Sequence, residues 1–241
     1  MSKPESTSTD VHPMSHVKTE YDGNCVTFTA DDGSVSWDPD RGYWGLTWKW
    51  IQGAEPVQPI GSGIGEYSRS KLTPEQEAEF CSEVDSWIDQ GWLEPHDPDK
   101  HGKPEAVLLL LAVAQEHKPT TPVRPCLDYC RLNAVIVSSP GADTPVCQEK
   151  IREWRASSPE QSYEMLDIRK AYLQVHIAPE LQRFQTVLWK GRTYVITRMG
   201  FRLSIAPKFM HVIVQWATRR FPEEPTTTLT ISRSHVPKCP K

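Results

Sequence analysis

At 241 residues and 38% apolar content, the chain is long enough for one large domain or two small ones with a sizeable core. Its longest apolar stretch, Ala106 to Ala114, falls short of the roughly 18 residues a membrane helix needs, and MSKPESTSTD is no secretory leader. No membrane partner is expected, and the location expected is intracellular, cytoplasmic or nuclear. The net charge of −4 weighs against a nucleic-acid partner, but the charges are unevenly placed. Residues 1–159 hold 14 Lys and Arg against 25 Asp and Glu, a balance of −11, whereas residues 160–241 hold 13 against 6, a balance of +7. The basic half could meet a phosphate backbone, although charge alone favours a solvated surface.

Residues 1–20 are rich in Ser, Thr, Pro and His without periodicity and read as disordered. A small β subdomain is expected over 21–52. Val26 and Phe28 alternate with polar residues up to an Asp31–Asp32–Gly33 turn, and Val35 and Trp37 alternate beyond it, which is a hairpin pattern. Trp44, Leu46, Trp48 and Trp50 then recur at every second position and share one face of a further strand.

The Pro- and Gly-rich segment 53–70 reads as a linker. Its GSGIG run follows no apolar strand and opens no helix, so a phosphate loop is disfavoured. Thr73, Pro74 and Gln76 form the pattern of an N-cap, first-turn proline and capping-box partner. Phe80, Val84, Trp87 and Ile88 fall on one helical stripe that Gly91 closes. AVLLLLAVA (106–114) has the continuous apolarity of a strand buried on both faces, with a return strand expected over Val123 to Tyr129.

A second helix is expected from Thr144 or Pro145, burying Cys147, Ile151 and Trp154, and then a strand ending near Asp167. A hairpin through Lys190 and Gly191 follows. The last predicted helix carries Ala206, Phe209, Met210, Ile213, Trp216 and Ala217, and residues 222–241 read as an unstructured tail. The six cysteines show no CxxC pair and are expected to be reduced. Cys126 and Cys130 are read as same-face residues of one extended segment, which argues against a zinc site.

An aspartate closing an apolar strand, as Asp167 does in YEMLDIRKAY (163–172), is by itself more often a turn former than a catalytic group. Its neighbours change the reading. RPCLDYCRLN (124–133), LDIRKAYLQVHI (166–177) and MGFRLSIAPKFM (199–210) resemble, in order, successive motifs of LTR-retrotransposon reverse transcriptases of gypsy-like or BEL-like kind. The resemblance covers about Tyr67 to Phe221. It implies an α+β fold in which fingers and an incomplete palm of a right-hand polymerase occupy 71–221, behind the small β subdomain.

The resemblance also implies roles. Nucleotidyl transfer in such enzymes uses two divalent cations, which carboxylates must gather. Asp167 would be the first Mg²⁺ ligand, with the Ile168 carbonyl beside it. Arg124, together with Lys118, would contact the dNTP triphosphate, where a guanidinium matches phosphate oxygens in a fork. The amides of Lys170 and Ala171 would cradle phosphates, and Tyr172 would be the steric gate against a ribose 2′ hydroxyl. The partners implied are an RNA or DNA primer-template, a dNTP and the remainder of a retroelement polyprotein.

Three departures from the family pattern bear on activity. Arg202 stands where the family's PFGLTNAP-like block has glycine, and is expected to crowd the nucleotide site or to meet a phosphate there. No YxDD-type pair follows the last helix; Glu223 and Glu224 lie between prolines, and Asp31 and Asp32 precede the first block. Cys130 stands where arginine is frequent. The expectation is a reverse-transcriptase fragment, truncated before YxDD and inactive as given. The alternatives are a non-catalytic nucleic-acid-binding remnant, or an interaction module built on the Trp-rich subdomain.

Overall fold

The computed structural model describes residues 17–60, 72–115, 123–138, 152, 156 and 168–219. The helix expected from Thr144 or Pro145 lies outside these residues except at Arg152 and Ala156, both helical. The strand leading into Asp167, the tail 222–241 and most of the linker also lie outside them. Among the described residues, no helix is long and apolar enough to cross a membrane.

The chain opens with a four-stranded antiparallel meander: β1 (Lys18–Asp22), β2 (Cys25–Thr29), β3 (Gly33–Asp38) and β4 (Tyr43–Trp48). Strand β1 begins inside the stretch read as disordered. All five of its side chains are exposed, so backbone pairing to β2 forms it without any apolar signature. The alternation expected further on is present, with Val26, Phe28, Val35, Trp44, Leu46 and Trp48 buried. Gly33 is required by close approach: a Cβ there would sit 2.2 Å from the Thr47 carbonyl oxygen.

Helix α1 (Pro74–Asp89) starts at the capping box expected for it. The Gln76 amide N–H donates to Thr73 Oγ1 (3.3 Å) and the Thr73 N–H to Gln76 Oε1 (3.0 Å), satisfying two end donors. Its stripe buries Phe80, Val84 and Trp87, with Phe80 edge-on to Trp189. After β5 (Leu93–Pro95) and the single turn α2 (Pro98–His101), β6 (Val107–Ala114) pairs antiparallel with β7 (Val123–Asp128). Strand β6 is not buried on both faces. Leu108 and Leu110 are buried while Leu109 and Leu111 are partly exposed, so its apolar run lies on a half-covered sheet.

Cys130 opens the turn α3 (Cys130–Asn133), which corrects the expectation that Cys126 and Cys130 share one extended face. The Cys130 N–H donates to Asp128 Oδ1 at 2.9 Å, a local bond that bends the chain out of the strand. Cys25, Cys81, Cys126 and Cys130 are free thiols. A 3₁₀ turn (Ala171–Gln174), β8 (Val175–Ile177) and a second 3₁₀ segment (Pro179–Phe184) lead into β9 (Thr186–Trp189) and β10 (Arg192–Ile196). These last two form the hairpin expected at Lys190 and Gly191, both with positive φ. Helix α4 (Ala206–Arg219) is the last described element.

The result is a mixed α/β fold with two mixed sheets, ordered β1-β2-β3-β4-β8 and β5-β10-β9-β6-β7. Strand β8 pairs in parallel with β4, and β9 in parallel with β6. The meander is thus continuous with the rest of the fold, because β8, from the second sequence block, extends its sheet.

Candidate functional site

Three stretches far apart in sequence meet near the start of α4. From the first block, Asn133 reaches across to the turn at 200–204. Its Nδ2 donates to the Arg202 carbonyl at 2.9 Å, and its Oδ1 accepts from the Ser204 N–H at 3.0 Å. One amide side chain therefore replaces a pair of backbone hydrogen bonds and fixes the turn. Beneath it, Tyr129 is buried, and its hydroxyl donates to Gln185 Oε1 at 2.7 Å. Gln185 in turn donates through Nε2 to the Ile196 carbonyl at 3.1 Å. Burial pushes the Tyr129 phenol far up, so it stays a neutral donor.

From the second block, Tyr172 lies edge-on to Phe201 with ring centroids 5.4 Å apart. Phe201 and Ile168 are both exposed, at 45% and 48%. Lys170 adopts a left-handed conformation, φ 50 and ψ 42, immediately before the 3₁₀ turn. Its ammonium bonds Glu83 Oε1 at 2.6 Å and lies 5.1 Å above the Trp92 ring. The same Glu83 oxygen accepts from Trp87 Nε1 at 2.9 Å. Lys170 is thus anchored on α1.

Electrostatics tie the first and third blocks together. The Asp128 carboxyl is held below its ordinary range, foremost by a hydrogen bond from the Cys130 side chain, with the Cys130 N–H, Arg202 and Arg131 assisting. Burial pushes the Cys126 thiol up, against the opposing charges of Arg202 and Arg124. Both arginines therefore lie close enough to β7 to be felt there. Arg202 is half-buried, and its Nε is buried with no hydrogen-bond partner. Arg124 is exposed on β7, opposite Val113.

Of the residues expected at the site, Tyr172 packs against Phe201, the neighbour of Arg202, and Arg202 and Arg124 both act electrostatically on Cys126 of β7. Ile168, Lys170 and Ala171 lie on the segment leading to Tyr172. Asp167 and Lys118 lie outside the described residues. Among the described residues, no group of three or more His, Cys, Asp or Glu could hold a metal ion, so they do not by themselves assemble a Mg²⁺ site. The residues given no role from the sequence are Asn133, Tyr129 and Gln185. Asn133 and Tyr129 lie inside the first block, but the tertiary partners that define them are 69 and 56 positions away, respectively.

No family model matches the chain, and neither does any curated protein. Among solved structures it is similar to the protease-reverse transcriptase of prototype foamy virus in its native form, with a TM-score of 0.51 and 19% identity over 72% of this chain. A selenomethionine-labelled CSH mutant of that protein gives the same values. The fold is therefore reverse-transcriptase-like. The chain spans about a fifth of the length of those structures, covering 21% of each.

Proposed function

We propose that the chain is the fingers and part of the palm of an RNA-directed DNA polymerase from an LTR retroelement of gypsy-like or BEL-like kind. Its partners in this reading are an RNA or DNA primer-template and a dNTP. The observation that carries it is the meeting of the three ordered blocks at one place, with Tyr172 against Phe201 and the Arg202 turn clamped by Asn133. The reverse-transcriptase-like fold supports the same reading.

Each side chain then has a task. Arg124 and Arg202 supply guanidinium groups for phosphate oxygens, and the buried, unpartnered Nε of Arg202 is a donor in want of an acceptor. Tyr172, propped by Phe201, offers a ring edge against the sugar. Asp167 would hold Mg²⁺, the ion that activates the attacking hydroxyl and steadies the triphosphate when bound. Within these 241 residues Asp167 is the last aspartate, so no adjacent pair follows the third block. In this reading the 241 residues bind primer-template without extending it.

Primer extension on an RNA template with Mg²⁺, run beside a binding titration, tests this. Binding without dNTP incorporation is expected. Incorporation that Asp167→Ala abolishes would overturn the inactivity and leave the polymerase assignment standing. Absence of both binding and incorporation would remove the assignment. A second reading, a nucleic-acid-binding remnant, draws on the +7 balance of residues 160–241. It is favoured if Arg202→Gly together with an added YxDD segment restores no incorporation.

A further inference from the structure

The meander lies outside the three blocks, yet it touches each of them within a few residues of the site. Val137 donates its N–H to the Lys49 carbonyl at 2.8 Å and Ile51 donates to Val135 at 3.0 Å, with Trp50 bridging Ile136. That grip begins two residues after Asn133. Strand β4 pairs with β8 through Trp44, Gly45 and Leu46, and the Ala178 N–H donates to the Leu46 carbonyl at 2.9 Å. This second grip begins three residues after Tyr172.

The third grip is ionic. Asp32, 1% exposed, accepts from Lys208 Nζ at 2.8 Å, and Lys208 lies in the first turn of α4, just past the Arg202 turn. Farther along α4, Trp216 meets Trp44 edge-on at 5.1 Å. A hairpin turn does not need its aspartate buried; the neighbouring Asp31, in the same turn, is exposed. A buried carboxylate is costly unless paired, and Asp32 is paired with a lysine 176 positions away. Its turn is itself fixed, because the Lys49 N–H donates to the Asp32 carbonyl at 3.0 Å and Lys49 Nζ to the Ala30 carbonyl at 2.9 Å.

We infer that residues 17–60 are the positioning element of the three-block site, with Asp32 setting the first turn of α4 through Lys208. The segment holds the residues flanking Asn133, Tyr172 and Arg202 in one frame. This deepens the reading of the site given above and rests on it for the binding readout alone.

Hydrogen–deuterium exchange on the full chain tests the frame directly. In Asp32→Asn, exchange over 200–210 is expected to rise about tenfold, while β6, β9 and β10 exchange as in the wild type. The double variant Asp32→Asn/Lys208→Gln, which replaces the ion pair by two neutral amides, is expected to return 200–210 to within about twofold of wild type. Affinity for an RNA/DNA hybrid is expected to fall about fivefold in the single variant and to recover in the double. Unchanged exchange over 200–210, or an equal rise in every strand, would overturn the inference. Should Asp32→Asn fail to fold, Trp44→Phe must raise exchange in the same segment, and its failure to do so would equally overturn it. A wild-type chain that binds no hybrid would remove the nucleic-acid reading, while the exchange result still decides the frame.

Discussion

Gly200→Ala is the sharpest probe of how the first and third blocks are fitted together. A Cβ at position 200 would lie 2.0 Å from the Tyr129 hydroxyl oxygen, 2.3 Å from Cζ and 2.4 Å from Cε2. An ordinary contact of 3.4 Å requires the phenol to retreat by roughly 1.4 Å. Tyr129 is 1% exposed, so the retreat must be into the packed core. Overpacking of this kind costs about 1–3 kcal/mol. The retreat also breaks the bond to Gln185, itself fully buried, and an unsatisfied buried amide oxygen adds about 1–3 kcal/mol. A total near 4 kcal/mol is expected, a large part of the roughly 5–15 kcal/mol by which domains are stable. Urea unfolding followed by tryptophan fluorescence measures it as a lower midpoint at unchanged slope. Tyr129→Phe separates the terms, since it removes the hydrogen bond alone and should cost about 1–3 kcal/mol. A loss below about 0.5 kcal/mol in Gly200→Ala would refute the reasoning, because it would mean that Tyr129 is not held against the turn.

Asn133→Ala removes both hydrogen bonds that shape the Arg202 turn and is expected to lower stability by about 2–3 kcal/mol, read in the same unfolding assay; Asn133→Asp, which sets a carboxylate oxygen against the Arg202 carbonyl, should cost at least as much. Stability should also fall with acid. His176, stacked 3.8 Å beneath Tyr43 and accepting from Arg198, is pushed down to about 4 by burial first and the Arg198 charge second. Its folded value lies below the unfolded value of 6.5, so its contribution is fully present above pH 6.5 and is lost as pH falls toward 4. His101, lowered chiefly by burial, acts in the same direction. The urea midpoint is therefore expected to decline between those pH values in the wild type and less so in His176→Gln. An unchanged decline would place the titration elsewhere.

Local signals were legible in the sequence where local chemistry decides structure. Thr73 and Gln76 announce α1 because the capping box spans only four residues, and Lys190 and Gly191 mark a hairpin because their positive φ values belong to the turn. Strand β1 was illegible, since its side chains are all exposed and its existence depends on β2. Cys130 was misread because Asp128 bends the chain by capping it, a contact that alternation in β7 does not reveal. At the candidate site, Tyr172 and Arg202 are singled out in the sequence by the ordered blocks. The roles of Asn133 and Gln185 depend on which distant carbonyl or hydroxyl folding brings to them, and Asp32 looked like an ordinary turn residue until Lys208 arrived beside it.

Fluorescence anisotropy of a labelled RNA/DNA primer-template, titrated from about 50 to 200 mM salt, tests the central claim most directly. The expected result is binding whose logarithmic salt slope is close to −0.9 per phosphate contact, shallower by about one unit in Arg124→Gln. Lys190→Gln, which removes a cation already committed to Asp85, should leave the slope unchanged. No binding at the lowest salt, or a slope indifferent to Arg124, would contradict the assignment of this face to a nucleic acid.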